Sequence, residues 1–247
     1  MSHPVPVQRR HTLLFLDQVR DFAPVFLDTE VDATAIVAAR ARAAAAGERR
    51  SVVSFVVHAA AGVLAKHPEA NSAIQSGELA TFDTVSAKVT LDKRLGGQRV
   101  VLATVLPDLA AASLADIQAQ IDDAIAADPD TDPRFAGIRA LAALPADEAR
   151  ARFAESAADL ALRPRITGTF SVTSLGHRAV DGFHSVGGTT VTLGVGRVVD
   201  RPVVRDGAVV VAPVLRLSLT FDHRVIDGAE AADVLTEIKD ALEGTEG

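Results

Sequence analysis

The stretch Leu215–Glu230, LRLSLTFDHRVIDGAE, constrains this chain more than any other. Leu215, Leu217, Leu219 and Phe221 alternate with Arg216, Ser218 and Thr220, the period of a strand with one buried face. The alternation then stops at His223-Arg-Val-Ile-Asp227-Gly228. From Ala229 to Leu242, apolar residues recur at helical spacing (Ala231, Val234, Leu235, Ile238, Leu242). A buried strand therefore ends in a turn that carries an imidazole and a carboxylate four residues apart, and a helix follows. A rigid strand end is a good place to hold a base.

The same periodicity organises the rest. An extended arm is expected over residues 1–8, with Pro4 and Pro6, then a helix from Arg9 to Phe22 ending before Pro24. Residues 25–32 alternate as a strand, and Asp32 or Thr34 is placed to cap a helix running to about Gly47. Residues 51–67, SVVSFVVHAAAGVLAKH, are apolar nearly all round and read as a buried helix, with His58 and His67 structural. Strands are expected at 85–91 and 99–106, and Ser113 should cap a helix with Leu114, Ile117, Ile121 and Ile125 on one face. Residues 128–165 form a helical excursion, either a surface insertion or a wall over an acceptor site. Strands follow at 168–175, 189–199, 201–206, 208–212 and 214–221, with Asp206-Gly207 as a hairpin turn. No repeat is evident, and a single domain over 1–247 is expected.

Composition removes several functions. A formal charge of −7 argues against nucleic acid or an anionic membrane as partner. No uncharged apolar run reaches the roughly 18 residues a membrane span needs. MSHPVPVQRRH lacks the apolar core of a signal peptide, so the cytoplasm is the expected location. Without cysteine there is no thiol nucleophile or thiolate metal site, and without tyrosine no phenolic acid or base. Val-Thr-Ser-Leu-Gly lacks the first glycine of a nucleophile elbow. The Gly194-Val-Gly196 pair lacks a third glycine and reads as close packing in a strand. His177, Asp181 and His184 have a spacing that suggests a metal, but read better as part of a loop, and no metal is expected.

The string FDHRVIDGAEAADVL resembles the C-terminal motif of the catalytic domain of 2-oxo-acid dehydrogenase acyltransferases and of chloramphenicol acetyltransferase. KHPEANSAI, PVFLDTEVDATAIVAAR and TFSVTSLG resemble other parts of that domain in the expected order. The resemblance implies an α+β fold, a chloramphenicol-acetyltransferase-like two-layer sandwich with a mixed β-sheet covered by helices. It also implies an acyl-CoA co-substrate, here acetyl-CoA, and a homotrimer with the active site between subunits.

Acyl transfer from a thioester needs a base for the acceptor proton and a donor for the oxyanion. The resemblance assigns His223 as the base and Thr173 as the oxyanion donor, with Ser174 as its understudy. It gives Asp227 a structural part, paired with Arg9, whose spacing to Pro24 matches the family's N-terminal arginine. Gly228 is expected to supply backbone freedom to the turn, and His177 is placed to line the site. The Asp92-Lys93 pair lies within the catalytic region and does not read as a lipoyl-bearing hairpin, and residues 92–106 and 185–188 depart from the family pattern. A small-molecule hydroxyl, such as a polyketide or tetronate alcohol of natural-product or antibiotic biosynthesis, is therefore the expected acceptor. The alternatives are dihydrolipoamide supplied in trans and a catalytically inactive trimeric scaffold.

Overall fold

The computed structural model describes residues 3–245. The expected N-terminal arm thus begins outside the described residues. A 3-10 turn at Val7–Arg9 leads into α1 (Arg10–Gln18), β1 (Pro24–Asp32), α2 (Thr34–Ala45) and α3 (Val52–Leu64). A small hairpin, β2 (Ser72–Gln75) and β3 (Glu78–Thr81), precedes the longer hairpin of β4 (Ala87–Leu95) and β5 (Gln98–Leu106). Then come α4 (Leu114–Ala126), α5 (Ala136–Ala143), α6 (Ala146–Ala158) and α7 (Arg163–Ile166). The chain closes with β6 (Phe170–Ser174), β7 (Val191–Arg205), β8 (Ala208–Asp222) and α8 (Gly228–Glu243).

Six strands form one mixed sheet in the order β1-β8-β7-β6-β4-β5, with β6 parallel to both its neighbours and the other pairings antiparallel. The period-2 split of β8 decides what each face does. Leu215, Leu217, Leu219 and Phe221 join Val191, Leu193, Val195, Phe170 and Val172 in a core closed by α3 and α8. Their alternates face the other way and are polar. Lys88, Ser171, Thr192 and Thr220 form one cross-strand row, and Thr90, Thr173, Gly194 and Ser218 form the next.

Local chemistry sets the helices. Ser51 accepts from Ser54 N at 3.1 Å at the start of α3, and Ser113 with Asp116 makes a reciprocal capping box on α4. Helix α2 starts at Thr34, whose N–H and hydroxyl both donate to Asp32. On α4 the expectation fails for Ile125, which is 47% exposed. Ala124 lies on the axis of Ile117 after two turns and takes the buried position, whereas Ile125 is rotated about 100° beyond it. The expected strands at 189–199 and 201–206 are one strand, and so are 208–212 and 214–221. Asp206 and Gly207, both at positive φ, turn the hairpin.

His67, just beyond α3, is clamped by two carboxylates of α8, with Nδ1 2.7 Å from Glu230 and Nε2 3.1 Å from Glu237. Burial opposes its protonation, but the two carboxylates outweigh that and raise its pKa above 6.5. The unfolded chain then holds this proton less tightly, so the clamp contributes fully below pH 6.5 and is lost as pH rises through the raised value. His67→Gln should therefore destabilise the protein at pH 5.5 more than at pH 8.5, as read by urea denaturation at about those pH values.

Candidate active site

Strand β8, flanked by β1 and β7, delivers His223 at its C-terminal end, and the turn that follows is held by the residue before it. Asp222 is 2% exposed. Its Oδ1 accepts from Arg224 Nε at 2.9 Å, Arg224 N at 3.2 Å and Ala23 N at 3.4 Å, and its Oδ2 from Arg224 Nη2 at 2.6 Å. Its carbonyl accepts from Val225 N at 2.9 Å, and its N–H donates to Thr190 at 3.0 Å. His223 N in turn donates to the Ala23 carbonyl at 2.9 Å. The Arg224 guanidinium lies 5.0 Å from the Phe22 ring centroid. A bonded carboxylate at a strand end thus fixes the backbone of the histidine on both sides.

The His223 side chain itself is 45% exposed, and its Nδ1 lies 3.5 Å from Asp227 Oδ1. The ring is reachable from solvent, which base catalysis requires. Asp227 is 90% exposed at its side chain and forms the N-cap position of α8 without a side-chain capping bond. The expected Arg9–Asp227 pair does not form. Arg9 ends the 3-10 turn, is exposed, and makes no ion pair among the described residues. Its neighbour Arg10 is the anchored one, donating to the carbonyls of Leu141 at 2.9 Å and Ala142 at 3.1 Å, and to that of Leu144, at the open end of α5. Gly228 also departs from expectation. Its φ is not positive and a Cβ there would meet nothing within 4 Å, so the turn does not need a glycine.

Thr173 is half-buried on β6, its hydroxyl accepting from Thr90 Oγ1 at 3.1 Å. Ser174 accepts from Gly176 N at 3.3 Å and shapes the turn after the strand. His177 is exposed in that turn, near enough to Asp92 to help lower its carboxyl pKa, after the Arg99 bond that dominates. Thr173 is not beside His223 within one chain. Two strand spacings and five residues of register separate them, about 19 Å at Cα, along the β6-β7-β8 ladder.

The loop after β6 is held by its own bonds. Asp181 pairs with Arg197 at 2.5 Å and Arg201 at 3.2 Å, while His184 packs edge-on against Phe26. A Cβ at Gly194 would overlap Ser218 Oγ and the Phe183 carbonyl, and one at Gly196 the Asp181 carbonyl. The glycine pair is therefore close packing, as its isolation in a strand indicated.

The polar sheet face holds two groups with no obvious sequence signal. Lys88 is buried, donates to the Gly187 carbonyl and lies 4.8 Å from the Phe15 ring centroid. Arg163, on the short α7 that ends the insertion, is also buried, and its Nη2 reaches Gly188 O at 3.4 Å. Burial, with the Arg163 charge in addition, lowers the Lys88 pKa from 10.5 to about 8.

A mixed sheet with a polar-faced histidine strand and helices packed over the other face is the chloramphenicol acetyltransferase architecture. The structure aligns with a chloramphenicol acetyltransferase at TM-score 0.54 and 20% identity, over 98% of this chain and 100% of that one. It aligns more fully with a probable dihydrolipoamide acetyltransferase from Listeria monocytogenes, at TM-score 0.74 and 20% identity, over 100% and 95%. The cubic core of the pyruvate dehydrogenase multienzyme complex gives TM-score 0.74 at 23% identity, over 99% and 92%. The chain belongs to the family of 2-oxoacid dehydrogenases acyltransferase (catalytic domain), whose family model matches residues 4–130 and 142–247. Among curated relatives, the dihydrolipoyllysine-residue acetyltransferase component of the pyruvate dehydrogenase complex of Bacillus subtilis is 58% identical over 50 residues, 20% of this chain and 11% of that protein. The match therefore spans about a ninth of that relative's length.

Two outcomes follow from these contacts. Asp222→Ala removes the acceptor of the Arg224 guanidinium and of the Ala23 and Arg224 backbone N–H groups, and should cost about 2 kcal/mol in chemical denaturation. For Lys88, the unfolded chain binds the extra proton between the lowered and ordinary values, so wild-type stability rises from about pH 8 to 10.5. Lys88→Met in dilute chloride buffer should be more stable than wild type at about pH 7, with the gap closing toward about pH 10.

Proposed function

We propose that the chain transfers an acyl group from acyl-CoA directly to an acceptor, with His223 as general base and no covalent enzyme intermediate. The observation that carries this reading is the solvent-reachable His223 ring at the end of a strand whose last residue is tied down. Asp227 lies on the Nδ1 side, which leaves Nε2 for the acceptor. His223 takes the acceptor proton as the acceptor's sulfur or oxygen bonds to the thioester carbonyl carbon. The oxyanion of the tetrahedral intermediate is stabilised by a hydroxyl, and its collapse breaks the C–S bond. The departing CoA sulfur then receives the proton back from the imidazolium.

The hydroxyl is assigned to Thr173 of a second copy, because about 19 Å within one chain is beyond any hydrogen bond. A ring of identical head-to-tail contacts provides such a shared site, and a homotrimer is the form proposed. Family membership and the curated relatives support a dihydrolipoyl thiol as acceptor at least as well as the small-molecule hydroxyl expected from the sequence, and the thiol reading leads. The hydroxyl reading keeps one support. The family model leaves out residues 131–141, within the insertion whose end brings Arg163 to the polar sheet face.

Acetyl-CoA offered with dihydrolipoamide and with small alcohols, with release of free CoA followed, separates the two acceptors. The leading reading expects dihydrolipoamide to be the faster acceptor, and a faster alcohol would transfer the assignment. His223→Ala should lower kcat by about 10²–10⁴ and Thr173→Ala by about 10²–10³ with the fold unchanged. Wild-type activity in His223→Ala would remove the mechanism, and a stable, active monomer in sedimentation would remove the shared site.

A further inference from the structure

On the polar face of the sheet, Lys88 and Arg163 make no ion pair among the described residues. Lys88 and Arg163 reach the carbonyls of the consecutive residues Gly187 and Gly188. They are close enough for the Arg163 charge to act on Lys88, and among the described residues no carboxylate acts on Lys88. Asp222 acts on Arg163, but its oxygens already hold Arg224, whose charge repels Arg163. Asp21 also acts on Arg224. Arg163 and Arg224 thus share one buried carboxylate, and Lys88 has no share in it. Arg163 is 7% exposed, and its Nε–H is buried with no hydrogen-bond partner among the described residues. A water molecule would satisfy that N–H but leave the charge uncompensated, whereas burying unpaired cations costs several kcal/mol.

We propose that Lys88 and Arg163 form a subsite for an oxyanion, a carboxylate or phosphate group, on the polar face of the sheet. The subsite lies in the row next to Thr90 and Thr173. An entering anion displaces the Phe15 ring, which covers the Lys88 ammonium from α1. Arg163 comes from the insertion and Lys88 from β4, 75 residues earlier, so the subsite exists only because the excursion returns to the sheet. That the anion belongs to a substrate rests on the acyltransfer reading. Its two sources are the phosphates of CoA and a carboxylate on the acceptor.

Binding is measured first without turnover, by calorimetry and thermal unfolding with inorganic phosphate against chloride at matched ionic strength. Wild type should bind phosphate and gain Tm. Lys88→Met and Arg163→Met should each weaken that binding by about tenfold or more, the loss expected for one charge-assisted contact. Lys88→Met removes a buried charge and keeps its chain length, so it stays folded. Equal responses in wild type and both variants, or no response in wild type, would overturn the subsite whether or not the protein is an acyltransferase. Turnover then assigns the source. If CoA supplies the anion, Lys88→Met raises KM for acetyl-CoA but not for acetyl-pantetheine. If the acceptor does, wild type prefers dihydrolipoate to the uncharged dihydrolipoamide and the variant loses that preference. A phosphate site whose loss changes neither comparison contradicts the placement of a substrate there.

Discussion

A buried carboxylate at the end of a strand is the constraint from which the rest of this structure follows. Asp222 cannot be left unbonded at 2% exposure, so it collects the Arg224 side chain and backbone donors from Ala23 and Arg224. Those bonds join the start of β1 to the end of β8 and give the turn one shape. His223 follows from that shape, its N–H on Ala23 and its ring outside. The helix that begins at Gly228 then packs Ala231, Val234, Leu235 and Ile238 onto the core face of the same sheet. The turn is thus held from one side by hydrogen bonds and from the other by apolar packing.

The two faces of the sheet divide stability from chemistry. The core face buries alternate aliphatic residues against α3 and α8, where the His67 clamp adds a charged tie. The other face carries rows of hydroxyls, Lys88 and the end of the insertion, and the proposed oxyanion subsite lies there. Arg10 helps hold the insertion there by closing the carbonyl end of α5. The helical excursion is therefore joined to the N-terminal segment and reaches the sheet.

Much of this was legible in the sequence where information is local. The alternation of Leu215 to Phe221, the helical spacing after Gly228, and the Ser51 and Ser113 caps each depend on neighbours within a few residues. What failed depends on residues distant in the chain. Arg9 and Arg10 are indistinguishable by type, and only the position of α5 selects Arg10. Asp222 falls on the polar side of the β8 alternation, but its burial depends on Arg224 and Ala23. The β2–β3 hairpin has a turn pair in Ser76-Gly77, but its strands are too short to show a period. Lys88 and Arg163 carry no motif, and their meeting is a product of the sheet order.

The central claim is that one copy supplies the base and another the hydroxyl, and mixing two inactive variants tests it most directly. His223→Ala and Thr173→Ala proteins, unfolded together and reassembled in equal amounts, should recover about a quarter of wild-type activity, because about one site in four of a randomly mixed ring pairs an intact histidine with an intact threonine. If the mixture stays as inactive as either variant alone while its oligomer reforms, the two groups do not meet across a subunit boundary and the account fails.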